Sequence, residues 1–204
     1  MSDGSTAILN RQAPAGGQPG LGETGPGTKA MGGKFLTFFL AGEEYGLEIL
    51  KVHEIIGVMA ITPVPRTPEF VRGVINLRGK IIPIVDLRAK FGMSSTDETD
   101  ETCIIVVQAR GMQMGIVVDK VSEVLDIASG DIDDAPSFGA DVNTDYILGM
   151  GKSEGRVRLL LDIDKVLSNQ EVTLIHQRAS EHADQPEDTP GDSFNLTESQ
   201  AEAA

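Results

Sequence analysis

The chain has 204 residues, 40% of them hydrophobic, with no Trp and a formal net charge of −14. That length supports one ordinary core or two very small ones, and only nine Phe and Tyr residues leave burial to Val, Ile and Leu, which favours strands over an aromatic-lined ligand pocket. No apolar run approaches the ~20 residues that span a bilayer, Met1-Ser-Asp-Gly is not a secretion signal, and no basic patch with interleaved aromatics suggests nucleic acid.

These exclusions point to a cytoplasmic protein with no direct membrane insertion. The negative charge is peripheral. Residues 176–204 hold seven acids and one Arg, and Met93 to Thr102 hold four acids and no base, so the excess reads as a solubilising tail and one repelling loop.

Residues 1–33 are rich in Gly, Pro, Gln and Thr without apolar periodicity and are expected to be a disordered leader. Its Gly22-Glu-Thr-Gly-Pro-Gly27-Thr28-Lys29 has phosphate-loop glycine spacing, but Lys and Thr are in the wrong order and no strand precedes it. From Lys34 the pattern changes. Lys34 to Leu40 and Tyr45 to Ile49 read as strands around Ala-Gly-Glu-Glu, and Val52 to Val58 as a third. Pro63, Pro65 and Pro68 force an extended connection. Two apolar runs, Val74 to Leu77 and Ile81 to Val85, then flank Arg78-Gly79, a strong hairpin signal in which Gly79 supplies the positive φ. Arg78 is thereby expected at the tip, directed into solvent with no acid in sequence reach. Asp86 caps a short helix closed by Gly92.

Beyond the acidic loop the pattern returns as Cys103 to Val107, a turn at Ala109-Arg110-Gly111, Met114 to Val118, and Val121 to Ile127. This is an internal repeat. At an offset of 69, Tyr45 to Ile55 lies over Met114 to Val124, and at 76, Ile84-Val85-Asp86-Leu87 lies over Leu160-Leu161-Asp162-Ile163. Two strand-rich copies imply two small barrels or sandwiches. Each is close to the lower size limit for folding alone, so a shared hydrophobic seam is expected. The chain from 176 to 204 is expected to be a disordered acidic tail, leaving 34–175 as the folded region.

An enzyme needs convergent reactive groups, and few are offered. His53 lies in a strand, while His176 and His182 lie in or beside the tail. Cys103 sits in an apolar strand, as a small core residue. Asp131-Ile-Asp133-Asp134 opens like a calcium loop, but Pro136 and Val142 stand where the turn glycine and bidentate Glu belong. Asp86 and Asp162 read as helix caps. No catalytic site, no metal site and no cofactor is therefore expected. Arg78 stands out instead, since a planar guanidinium at a projecting tip suits bidentate carboxylate recognition. Glu54 is a weaker candidate, because Glu123 repeats it.

The segments EEYGLEILKVHEI, TPEFVRGVINLRGKIIPIVDLRAKFG and MGIVVDKVSEVL closely resemble the CheW family of chemotaxis coupling proteins, in one register from Lys34 to about Ile175. The resemblance implies a mainly β fold of two intertwined five-stranded Src-homology-3-type β-barrels with a few short helices. It implies a non-catalytic adaptor between the histidine kinase CheA, through its regulatory domain, and methyl-accepting chemotaxis receptors. A ring or array assembled with the kinase at the inner face of the membrane would follow. Arg78, Glu54 and Val52 fall on the receptor-facing positions of the family. Gly115, Val121 and Val124 fall on the second copy, expected to form the second barrel, where the resemblance places the kinase. The alternative within the resemblance is a CheW-like regulatory module of a kinase pathway controlling a non-flagellar process.

Overall fold

The computed structural model describes residues 32–135 and 144–183. Nearly all of residues 1–33, and 184–204 of the expected tail, lie outside them. The strands are β1 (Gly33–Leu40), β2 (Glu43–Glu48), β3 (Val52–Gly57), β4 (Val71–Leu77), β5 (Lys80–Asp86), β6 (Cys103–Ala109), β7 (Met112–Val118), β8 (Lys120–Ile127), β9 (Ile132–Asp133), β10 (Ile147–Ser153) and β11 (Arg156–Leu161). Three helices, α1 (Leu87–Lys90), α2 (Ile163–Val166) and α3 (Asn169–Ala183), complete the described elements with two 3-10 turns at Ile49–Lys51 and Ser129–Asp131.

Turn chemistry accounts for much of this order. The β1–β2, β4–β5, β6–β7 and β10–β11 hairpins each turn through two residues, Ala41-Gly42, Arg78-Gly79, Arg110-Gly111 and Glu154-Gly155, all with positive φ. That is the turn whose twist matches paired strands. Asp86 accepts from the Ala89 N–H and Asp162 from the Asp164 N–H, capping α1 and α2 as expected. Before α3, Ser168 and Glu171 exchange backbone N–H bonds in a reciprocal capping box. The helix then runs through His176, so the boundary expected at 175 falls inside a regular element, with Ile175 buried.

The strands form a six-stranded sheet, β8-β1-β2-β11-β10-β9, and a five-stranded sheet, β3-β6-β7-β5-β4. Each mixes the two sequence copies. The first copy supplies β1 and β2 to one sheet and β3, β4 and β5 to the other, while the second does the reverse. Parallel pairs β2–β11 and β5–β7 make the joins. One correction follows: Gly115, on β7, lies in the same sheet as β3 and the Arg78 hairpin, so the second copy is not the second barrel.

Three apolar clusters result. One lies within the five-stranded sheet (Ile75, Ile82, Ile84, Ile104, Val106, Val117) and one within the six-stranded sheet (Phe35, Leu125, Ile127, Ile132, Leu160). The largest is the expected seam, where Phe38, Leu40 and Leu47 meet Val85, Ile105 and Ile116. Four aromatic rings stack across it, Phe38–Tyr45–Phe91–Tyr146, with centroids 5.9, 6.2 and 5.0 Å apart.

Candidate functional site

β3 is an edge strand whose alternating residues are half-buried and exposed. Its pairing with β6 slips by one residue at His53, between Val52 and Glu54, a bulge of the kind that re-aims side chains. Val52 rests against the seam, and Glu54 stands opposite Val106 of the inner cluster. The β4–β5 hairpin reaches back towards this strand. Its tip is fixed by the Asn76 side chain, which accepts from the Gly79 N–H at 2.8 Å.

Arg78 is therefore placed at the tip, as expected, but it is paired. Its Nη2 and Nη1 donate to Glu54 Oε2 and Oε1 at 2.8 and 3.3 Å, linking the β4–β5 turn to β3 across the open side of the sheet, whose edges are β4 and β3. The two residues lie 24 apart in sequence, which is why no local pattern revealed the partner. The Arg78 side chain remains 77% exposed against 27% for Glu54. Its donors are thus preoriented and still accessible at a shallow groove lined by His53, Glu54, Leu77, Arg78, Lys80 and Gln113. Arg78 also holds φ +55 itself, but Ala41, Arg110 and Glu154 do the same in the sister hairpins, so this backbone is architectural.

The second-copy candidates separate. Gly115 is enclosed: a Cβ there would meet Ile84 Cδ1 at 2.5 Å and Ile104 Cγ2 at 2.6 Å. Val121 and Val124 lie on β8, the edge of the other sheet, with Val121 against the seam and Val124 48% exposed.

Several charged contacts were not legible beforehand. Arg88 grips Asp119 through Nε at 2.6 Å and Nη2 at 2.5 Å, while the Ala41 N–H bonds the same carboxylate at 2.8 Å. Burial pushes the Asp119 carboxyl up, but these donors outweigh it and hold it below the usual range. Asp164 is similar: burial raises it, and Lys51 Nζ at 2.5 Å and the Arg110 N–H at 2.6 Å bring it down. The acidic loop is docked, contrary to its reading as a repelling loop. Glu98 pairs with Arg72, Glu101 with Lys120, and the Ser94 carbonyl accepts from Arg88.

The described residues assemble no reactive cluster. Among the described residues no group of three or more His, Cys, Asp and Glu is placed to hold a metal. Cys103 is half-buried and burial pushes its thiol up, away from the thiolate a nucleophile requires. No described helix is long and apolar enough to cross a membrane. The sheets and the Arg78–Glu54 edge define the class as a two-barrel β module with a charged, edge-strand surface.

Comparison with known proteins makes the class specific. The CheW-like domain family model matches residues 34–171, and the chain belongs to that family. It is 42% identical over 154 residues to the chemotaxis protein CheW of Klebsiella aerogenes, covering 76% of this chain and 93% of that protein. It is 38% identical to CheW of Rhizobium meliloti, covering 69% and 91%. The crystal structure of the scaffolding protein TtCheW from Thermoanaerobacter tengcongensis superposes with a TM-score of 0.63 at 35% identity, covering 69% of this chain and 96% of that one.

Proposed function

We infer that this protein is a chemotaxis adaptor coupling methyl-accepting receptors to the histidine kinase CheA, with no catalytic activity of its own. Family membership supports the adaptor role, and the relatives named as CheW favour it over a regulator of a non-flagellar process. The partners are the receptor tip and the regulatory domain of the kinase, and the protein works in the cytoplasm within receptor arrays. The receptor surface comprises Val52, Glu54 and Arg78. One observation carries it: the exposed Arg78 guanidinium, oriented by Glu54, stands beside the bulged edge strand bearing Val52. The kinase surface is assigned to β8, through Val121 and Val124. Gly115 contributes to it only by holding the neighbouring strands together.

The test is a pair of titrations at fixed salt, with a receptor tip fragment and with the kinase regulatory domain. Arg78→Ala removes the pair to a receptor carboxylate. Arg78→Glu also sets two carboxylates against each other and should weaken receptor binding further, by ~1–2 kcal/mol or roughly five- to thirtyfold for an accessible pair. Kinase affinity should stay within twofold. Receptor affinity within twofold of wild type for Arg78→Glu would remove the assignment.

A further inference from the structure

The five-stranded sheet is built from one continuous segment, β3 to β7, inserted into the six-stranded one. The chain therefore passes between the sheets at two places, the 3-10 turn Ile49–Lys51 before β3 and Asp119 between β7 and β8. Each passage is held by a carboxylate. At the second, Asp119 takes Arg88 from α1 and the N–H of the β1–β2 turn residue Ala41. At the first, Asp164 of α2 takes Lys51 and the N–H of the β6–β7 turn residue Arg110. The repeat relates the two. Ala41 and Arg110 are equivalent at the offset of 69, as Arg88 and Asp164 are at 76, so the helix supplies the base at one passage and the acid at the other.

The two clasps are not equally strong. Arg88 and Asp119 form a two-point bond with side chains 18% and 24% exposed. Lys51 and Asp164 meet at one point with 35% and 33% exposed, a weaker arrangement in competition with water. The weaker clasp immediately precedes the strand carrying Val52 and Glu54. Leu50, which occupies the position equivalent to Asp119, is 94% exposed and contributes no second anchor.

We propose that Asp164 is a positioning residue for receptor binding: through Lys51 it fixes the start of β3 and hence the placing of Val52 and Glu54. The proposal rests on the receptor assignment of those two residues. Arg110 extends the same clasp, since its side chain donates to the Asp164 carbonyl and to Asn169. The start of β3 is in this way tied to the first turn of α3. β3 is an edge paired on one side only, and its other ties, Val52 on the seam and Glu54 on Arg78, lie beyond the turn that Lys51 anchors.

The experiment compares Lys51→Met, Asp164→Asn and the double variant in the full chain, with Lys51→Arg as the conservative replacement. Asp164→Asn retains an oxygen for the Arg110 N–H while removing the charge that holds Lys51. Two readouts are taken, amide exchange along β3 and affinity for a receptor tip fragment. Faster exchange confined to Val52–Ile55, and receptor affinity lowered about threefold by either single change, are expected. The double variant should be no weaker than the singles, because both remove one contact. Lys51→Arg should restore both readouts, and affinity for the kinase regulatory domain should not move. Arg88→Met at the related clasp should leave β3 exchange unaltered. Unchanged β3 exchange in Asp164→Asn overturns the proposal whatever the binding shows. Unchanged receptor affinity in that variant, with Glu54→Ala still losing affinity, overturns it as well. If Glu54→Ala binds receptor normally, the receptor assignment itself is wrong, and exchange alone then decides whether Asp164 sets the strand.

Discussion

Arg158 is the residue that sequence pattern misplaces most. In Arg156-Val-Arg-Leu-Leu-Leu161, alternation with an exposed face would turn Val157 inward and Arg158 outward, yet Val157 is 60% exposed and Arg158 1%. Burial along β11 does alternate, with Arg158 and Leu160 on the buried face and Val157 on the exposed one, but the inward position at 158 is filled by a charge-paired Arg, which a hydrophobic pattern reads as outward. The Arg158 Nε lies 2.8 Å from Glu44 Oε2, but its N–H is not aimed along that line, leaving a charge contact. Nη1 donates to the Ser153 carbonyl. With Glu44 only 8% exposed, Glu44→Ala leaves a buried guanidinium without its counter-charge and should cost about 3–5 kcal/mol. Urea unfolding measures this. A loss under 1 kcal/mol would mean that water reaches the guanidinium.

At the scale of elements, the two central glycines show what the repeat preserves. Gly46 and Gly115 are equivalent, and a Cβ on Gly46 would strike Leu160 and approach Phe35, the counterparts of Ile84 and Ile104 around Gly115. Each glycine thus lets a parallel join and an inner cluster close together. Gly115→Ala should destabilise by ~1–3 kcal/mol, since side chains on two flanks must shift together, and Gly115→Asp by more because the carboxylate is buried. Thermal unfolding followed alongside both binding titrations is the check. Receptor and kinase binding should fall together, in proportion to the folded fraction. Selective loss of kinase binding by a fully folded Gly115→Ala protein would instead make this position part of the contact.

The molecule as a whole is joined across its sheets by carboxylates held below their usual range. Besides Asp119 and Asp164, Glu171 of α3 is raised by burial and lowered further by Lys90 and the Ser168 N–H. Lys90 bonds both Glu171 oxygens, at 2.7 and 2.8 Å, and lies 4.5 Å from the Phe70 ring centroid. A depressed folded value contributes stability that is present above the unfolded value, about 4 for a carboxylate, and is lost as pH falls through the folded one. Acidification below about pH 4 should therefore loosen the contact between sheets. Tyr45 and Tyr146 stand in the aromatic stack, so near-ultraviolet circular dichroism is the probe, with Asp119→Asn expected to remove part of the transition. An unchanged tyrosine signal down to pH 2 would contradict this linkage.

What the sequence by itself determined is local or repeated. The strands follow from β-branched runs, the hairpins from residue-glycine pairs, the helix starts from Asp86 and Asp162, and the two copies from their offsets. Each is a property of neighbouring residues and needs no partner elsewhere. Family resemblance added the two-barrel fold and membership of the CheW-like family, which the comparisons support. Tertiary structure alone decided which strands share a sheet, because β2 joins β11 and β5 joins β7 by parallel pairing across long stretches of chain. That exchange placed Gly115 within the Arg78 sheet, brought Glu54 to Arg78, docked the acidic loop on Arg72 and Lys120, and enclosed Arg158. All four depend on side chains meeting over distances at which hydrophobic periodicity carries no pairing information, since the same alternating strand fits more than one neighbour until the whole set closes.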